Sequence, residues 1–149
     1  MKNSLSVIGR AELIDFLDAD IKDLPAKVDT GAYRSSVWAT RIKEHDGELS
    51  FQLLGPKSEF YTGKKLTTTE FKVVQVENSF GAKQKRYSVW LSIRVGGKKV
   101  RSNFTLANRA SKTYPVLLGR KLLKNRFVVD VSKGNPLPDE EVVGDESLA

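Results

Sequence analysis

The chain has 149 residues, of which 40% are apolar, 9% aromatic and 29% charged, and its net charge is +7. These values are ordinary for one globular domain and exclude a chain that is disordered throughout. Because there is no cysteine, a disulfide framework, a thiolate nucleophile and a Cys-ligated zinc site are excluded. No apolar run approaches the roughly 20 residues of a membrane-spanning helix, and residues 1–10 lack a secretory signal pattern, so we expect a cytoplasmic protein without membrane contact.

Strand patterns dominate the chain. Short strands are predicted at 5–8, 21–29, 49–53, 71–76 and 127–131. The clearest pattern spans 87–95, where apolar and polar residues alternate as on a half-buried strand. Gly96-Gly97 then accepts the positive φ of a tight hairpin, so 99–107 should return antiparallel to it.

Two segments look helical, namely 12–17, weakly, and 120–124, where Leu122 and Leu123 should pack inward. Many short strands with turn signals and little helix indicate an all-β fold, a closed barrel with one short C-terminal helix. Residues 134–149 have too little apolar sequence to order themselves. We therefore predict a folded domain over 1–133 and a disordered acidic tail.

The charge is unevenly distributed. The last sixteen residues contain five acidic side chains and no Lys or Arg, which leaves a net charge of +12 on residues 1–133. Such an excess favours an acidic partner, whether a nucleic acid, an acidic peptide or an anionic surface. A second interpretation stays open, in which the lysines only keep a small oligomer soluble.

The segment Asp29-Thr30-Gly31-Ala32 carries the sharpest local signal. An apolar strand ends there in a carboxylate, which is followed by a small hydroxyl residue and a glycine. The same pattern fits a strand that leads into an Asx-type turn, in which Asp29 accepts hydrogen bonds from nearby amides. Both interpretations stay open from this segment alone.

A second segment lies about ninety residues downstream, where the apolar run 114–118 leads into Gly119-Arg120 and the predicted helix. An Asp-Thr-Gly-Ala turn, a hairpin and an apolar-Gly-Arg segment, in this order, resemble the retropepsins, the single-lobed aspartic proteases typified by retroviral enzymes. The match is closer still to a prokaryotic family of retropepsin-like proteins often labelled RimK-associated ATP-dependent zinc proteases. It is carried by the segments 7–10, 29–36, 84–87, 104–106 with Arg109, and 117–120 with 127–131.

The resemblance implies a retropepsin-like (acid protease) fold in which each chain supplies one catalytic residue, Asp29. A homodimer would then assemble the active site of an aspartic peptidase around a water molecule. The resemblance also implies that Thr30, Gly31 and Ala32 form the active-site turn. Residues Gly119 and Arg120 would support that turn structurally. A second interpretation of Arg120, as a surface cation at the start of its helix, stays open. The hairpin 72–87 would be the flap, with its tip at 78–84, and its candidate substrate-contacting residues are Gly81, Lys83, Lys85 and Arg86.

The basic flap, with Lys64 and Lys65 as further candidates, suggests a peptide or protein substrate that is acidic. Because the family is associated with RimK-type glutamate ligases, glutamylated protein tails are an expected substrate and such a ligase is an expected functional partner. Tyr33-Arg34 stands where retroviral enzymes have acidic residues, so Arg120 should lack its usual carboxylate partner. The flap tip has one glycine and several cations, so closure in the retroviral manner is not assumed.

The zinc and the ATP of the family label find no support in the sequence. A zinc protease needs a ligand set such as two histidines at helical spacing, whereas His45 is the sole histidine and sits in a turn-like segment. No glycine-rich loop ends in Gly-Lys-Ser or Gly-Lys-Thr, as nucleotide binding would need. We therefore predict no metal and no cofactor.

Two other functions stay open. A catalytically inactive module would keep the fold as a peptide-binding or dimerisation device. A basic β domain would instead bind nucleic acid through exposed aromatics such as Tyr33, Trp38 or Tyr61, but the sequence has no RNP-type motif, helix-turn-helix or zinc finger, so nucleic acid is the less expected partner. For Trp38 and Trp90, packing in the core is the expected role.

Overall fold

The structure is a computed structural model that describes residues 5–77 and 80–134. This part of the chain contains eleven β-strands, one α-helix and a 3-10 turn at Leu17–Ala19. The strands and the helix are, in chain order, β1 (Ser6–Ile8), β2 (Ala11–Phe16), β3 (Ile21–Val28), β4 (Ser35–His45), β5 (Glu48–Leu53), β6 (Leu66–Thr68), β7 (Phe71–Glu77), β8 (Lys83–Val95), β9 (Lys98–Ala107), β10 (Val116–Leu118), α1 (Arg120–Leu123) and β11 (Phe127–Val129). The prediction of an all-β fold with one short C-terminal helix is confirmed.

Six strands close into a ring in the order β10, β3, β2, β8, β9, β4 and back to β10. β10 closes the ring because it pairs in parallel with β3 and antiparallel with β4. β5 and β6 extend the sheet from β4, while β7 pairs with β8 beside the ring, and β1 and β11 form a separate two-stranded parallel sheet. The ring corresponds to the closed barrel expected from the many short strands.

The hydrophobic core is built from the inward-facing residues of these strands. Phe16 of β2 and Phe104 of β9 are fully buried, and their rings meet edge to face with 5.4 Å between centroids. Leu24, Leu91 and Leu118 from three other strands of the ring are also buried. Removing such surface from water stabilises a fold by roughly 25 cal/mol per Å².

The predicted helix at 12–17 is wrong, because this segment is strand β2. Glu12 lies on the same side of β2 as the buried Ile14, but its carboxylate accepts a backbone N–H at 2.8 Å instead of packing in the core. Ala11 is buried on the opposite side, where its N–H donates to the carbonyl of Gly134 at 3.0 Å. A local hydrogen bond of Glu12 and a long-range one of Ala11 therefore accompany a polar residue on one side and an apolar residue on the other, which breaks the alternation by which a strand is recognised in sequence.

Strand β4 is missing from the sequence-based prediction. One half of it pairs with β9 and β10 in the ring, and the other half pairs with β5. Between the halves, Arg41 has a φ of 52° and the pairing with β5 shifts register between Thr40 and Lys43. Because such an irregularity interrupts the two-residue period, the local pattern does not identify the strand.

The two tryptophans differ in their surroundings. Trp38 is half-buried and packs against the core. The expectation that Trp90 packs in the core is wrong, since it is 45% exposed and lies 5.5 Å from the guanidinium of Arg101. Its strand neighbours Val89 and Leu91 are both buried, and successive side chains on a strand point to opposite faces, so Trp90 points outward.

The C-terminal part of the sequence is described only as far as Gly134. The remainder of the predicted tail, 135–149, lies outside the described residues. Across the two described ranges, no helix combines the length and the apolar character needed to span a membrane.

Replacing Phe104 with alanine should lower the free energy of unfolding by about 3–5 kcal/mol, because a fully buried ring and its contact with Phe16 are lost. Trp90→Ala on the neighbouring strand should cost less than half as much, since that ring faces outward. Urea unfolding followed by circular dichroism measures both values. Equal costs would contradict the assignment of Phe104 to the core.

Candidate active site

Asp29 follows directly after β3 and begins a tight turn. Its N–H donates to the carbonyl of Leu118 at 2.9 Å, which continues the pairing of β3 with β10. Within the turn, the N–H of Gly31 donates to Asp29 Oδ1 at 3.1 Å, and the N–H of Ala32 donates to the Asp29 carbonyl at 3.2 Å. The Asx-type turn considered from the sequence is therefore present, and it orients a half-buried carboxylate.

The start of α1 holds this turn from one side. The N–H groups of Arg120 and Lys121 donate to the carbonyls of Ala32 and Tyr33, at 2.8 and 3.0 Å. Nη1 of Arg120 also donates to the carbonyl of Thr30 at 3.1 Å. Two segments that lie about ninety residues apart in sequence are therefore joined by three hydrogen bonds.

Gly119 lies where the two segments come closest. Its N–H donates to Ser35 Oγ at 2.9 Å, and the carbonyl of Ser35 accepts the hydroxyl of Thr105 at 3.3 Å. A Cβ on Gly119 would lie 2.6 Å from the backbone carbon and oxygen of Arg34. Only glycine fits such a close approach of two backbones.

Tyr33 lies beside the turn and is 53% exposed. The guanidinium carbon of Arg120 is 5.9 Å from the centroid of its ring, and that of Arg34 is 5.8 Å away. Arg120, an exposed side chain, thus contacts a backbone carbonyl of the turn and an aromatic ring.

The hairpin of β7 and β8 lies across a cavity from the Asp29 turn. Its strands pair from Phe71 opposite Val89 to Glu77 opposite Lys83, as expected for the segment 72–87. Residues 78 and 79, within the predicted tip, lie outside the described residues. The cavity has a volume of about 360 Å³ and is lined by Ala32, Tyr33, Arg34, Ser36, Gln75, Val76, Glu77, Arg86, Thr105, Arg109 and Leu117.

Of the four hairpin residues expected to contact substrate, Arg86 lines this cavity. Gly81 lies in the turn of the hairpin with a φ of +82°. Lys83 and Lys85 are exposed and are absent from the cavity lining. Because alternate residues of a strand share a face, both lysines lie on the side of β8 opposite to Arg86.

Three other candidates from the sequence lie away from this cavity. Lys64 forms an ion pair with Asp20 at 3.3 Å, and neither Lys64 nor Lys65 lines the cavity. His45 is exposed, with Nε2 3.1 Å from Asp46 Oδ2. Throughout 5–77 and 80–134, no three His, Asp or Glu side chains are grouped so that they would hold a metal ion.

Arg109 also lines this cavity, and in the sequence only the family resemblance points to it. It is half-buried, and its Nε donates to the carbonyl of Tyr114 at 3.0 Å. Burial lowers the pKa of Arg109 below its ordinary value, the charge of Arg86 lowers it further, and the carboxylate of Asp29 acts in the opposite direction. Arg109 therefore lies within electrostatic reach of both residues.

A closed ring of strands, one Asp-Thr-Gly turn per chain and a hairpin across a cavity from it define a single-lobed retropepsin-like protein. The chain belongs to the RimB-like family, described as retropepsin-like aspartic endopeptidase RimB, whose model matches residues 7–136. A crystal structure of a Legionella pneumophila protein with unknown function is similar, with a TM-score of 0.65 and 28% identity over 89% of this chain and 98% of that chain.

Two curated relatives are each named "Probable alpha-L-glutamate ligase". The protein from Shewanella pealeana is 33% identical over 140 residues, which is 89% of this chain and 30% of the relative. The protein from Shewanella halifaxensis is 32% identical over 155 residues, which is 99% of this chain and 33% of the relative. The chain thus spans about a third of the length of the curated relatives it matches.

Gly119→Ala should destabilise the fold by about 1–3 kcal/mol or more, because the new Cβ would overlap the backbone of Arg34. Gly31→Ala is the matched control, since a Cβ there would meet Asp29 Oδ1 at 3.3 Å. Thermal unfolding should give a clearly lower Tm for the first variant alone. Equal Tm values would argue against the close approach of the two segments.

Proposed function

We propose that this protein is an aspartic endopeptidase, a hydrolase in which Asp29 from each of two identical subunits activates one water molecule. The observation that carries the proposal is the Asp29 turn, whose carboxylate accepts the N–H of Gly31 while β10 and α1 hold the backbone on both sides. A carboxylate fixed in this way is suited to proton transfer, because little reorganisation is needed during the reaction.

The paired Asp29 carboxyl groups supply both the general base and the general acid of the reaction. Two carboxylates a few ångströms apart do not both ionise readily, so they hold one proton between them. The ionised Asp29 takes a proton from the water as it attacks the peptide carbonyl, and the protonated Asp29 of the other subunit donates to the developing oxyanion. Collapse of the tetrahedral intermediate returns a proton to the departing amine. No metal or cofactor takes part in these steps.

The neighbouring residues have supporting roles in this proposal. Thr30 has a hydroxyl that can brace the two turns across the dimer axis, and Gly31 lets the substrate backbone approach without a clash. Ala32 keeps the floor of the cavity small. Gly119 and Arg120 hold the turn through the contacts described above.

An exposed apolar surface supports a homodimer. Val7 of β1 and Val128 of β11 are directly paired, and they are 57% and 47% exposed. Leu5 and Val131, at 50% and 73%, extend the same two segments. Exposed apolar patches of this kind are typical of protein contacts. We propose this β1–β11 surface as the contact between subunits.

The charge of the chain and its relatives support an acidic substrate. Residues 1–133 carry a net charge of +12, which attracts acidic peptides over a distance. In the relatives named alpha-L-glutamate ligase, the matching segment is about a third of a longer chain. We therefore propose that the substrates are protein tails to which such a ligase has added glutamate, and that the reaction takes place in the cytoplasm.

Asp29→Asn should reduce cleavage of a glutamate-tailed peptide by about 10²–10⁴-fold or more, because an amide neither accepts the proton of water nor shares one with a partner. Mass spectrometry of the products measures the rate. Asp20→Asn, which changes an exposed carboxylate, is the control and should leave the rate unchanged.

The outcomes separate the two leading functions. Full activity in a folded Asp29→Asn protein would contradict aspartic catalysis. Selective binding of the same peptide by a wild-type protein that never cleaves it would instead support a catalytically inactive peptide-binding module.

Val128→Lys should convert the dimer into monomers and abolish hydrolysis with it, because a lysine at a desolvated contact is costly and one Asp29 alone has no partner. Sedimentation velocity and peptide cleavage are measured on the same sample. Leu13→Lys, at another strand position that is 49% exposed, is the matched control. A strictly monomeric variant with full activity would contradict the shared active site.

A further inference from the structure

The cavity between the hairpin and the Asp29 turn contains two arginines from different parts of the fold. Arg86 comes from β8 of the hairpin, and Arg109 comes from the loop after β9. Both are partly buried and line the same cavity, and the charge of Arg86 lowers the pKa of Arg109. Two positive charges are therefore held together beside the proposed catalytic carboxylate.

Within the part of the chain that the structure describes, no carboxylate is in direct contact with either arginine. Among the described residues, neither Arg86 nor Arg109 forms an ion pair within 4 Å, although Glu77 lines the same cavity. Like charges at close range repel each other, and the repulsion is stronger where water is partly excluded. An anion between them would relieve this repulsion.

Both guanidinium groups are also held in position. Nε and Nη2 of Arg86 donate to Gln84 Oε1 at 3.3 and 3.1 Å. Arg109 is held through Nε by the carbonyl of Tyr114 at 3.0 Å. A guanidinium has five N–H donors, so Nη1 of Arg86 and both Nη atoms of Arg109 keep donors that have no acceptor in the described part of the chain.

We propose that Arg86 and Arg109 form a carboxylate-binding subsite that selects a Glu or Asp side chain next to the scissile peptide bond. The proposal deepens the proposed function and rests on it for the cleavage step. A guanidinium matches a carboxylate geometrically, with two parallel hydrogen bonds. A planar carboxylate bridging two such groups is therefore preferred over the neutral amide of Gln.

A neighbouring cavity supplies a control for charge alone. It has a volume of about 340 Å³, and its lining includes Arg109, Lys57 and Lys112 but no residue of the hairpin. Lys112→Gln removes one positive charge close to Arg109 without changing the cavity beside the Asp29 turn. If the preference for acidic peptides came only from general charge attraction, Lys112→Gln would weaken it too. If it comes from a specific subsite, Lys112→Gln should leave it unchanged.

The test uses pairs of peptides that differ only by Glu or Gln at one position beside the scissile bond. Binding to the 149-residue Asp29→Asn chain is measured by fluorescence anisotropy, and cleavage is measured with the wild type. We expect the Glu peptide to be preferred about tenfold or more in both assays. Arg86→Gln should reduce this preference to about twofold or less, Arg109→Lys should reduce it partly, and Lys112→Gln should leave it unchanged.

Two outcomes would contradict the proposed subsite. One is equal binding of the Glu and Gln peptides at every position. The other is an equal loss of preference in the Arg86→Gln and Lys112→Gln proteins. Since Arg109 also holds the Tyr114 loop, the Tm of each variant is measured, and Arg86→Gln decides the result if Arg109→Lys is unfolded. Arginine-dependent selective binding without any cleavage by the wild type would support the subsite and contradict the peptidase.

Discussion

Strand β10 is the element on which the rest of the structure depends, although it has only three residues, Val116–Leu118. It hydrogen-bonds along both edges, in parallel with β3 and antiparallel with β4, and it thereby closes the ring. The carbonyl of Leu118 then accepts the N–H of Asp29 at 2.9 Å. The carboxylate is therefore positioned by barrel closure, and its backbone cannot move away without opening the ring.

Buried polar groups make this junction specific. Ser35 and Thr105 are 2% and 3% exposed, and with Gly119 they form a short chain of hydrogen bonds. Leaving one of these groups unpaired would cost about 1–3 kcal/mol. The requirement for complete pairing therefore fixes the relative positions of β4, β9 and the start of α1. The Asp29 turn hydrogen-bonds to the same start of α1, so its position is fixed relative to these elements as well.

The basic side chains of strand β8 lie on two opposite faces of the strand. Lys83 and Lys85 lie on one face of β8, together with Tyr87, whose hydroxyl donates to Glu44 at 3.0 Å. Arg86 lies on the opposite face, in the cavity that it shares with Arg109. The exposed charges of Lys83 and Lys85 are strongly screened by water and salt, whereas those in the cavity are screened less. The basic excess seen in the composition is thus a poor guide to which cations lie beside the site.

The sequence by itself determined the all-β class and the Asp29 turn, because these are local patterns of alternation and of turn-forming residues. That Gly119 and Arg120 support this turn was implied only by the resemblance to a known family. It did not reveal β2 and β4, because the alternation is broken in β2 by a buried-side glutamate and a long-range contact of Ala11, and in β4 by a register shift. Only the tertiary structure decided that Trp90 faces outward, that Lys83 and Lys85 lie off the cavity, and that Arg109 lies near Asp29. These facts depend on strand register and on loops brought together from distant parts of the chain, and neither leaves a local signature.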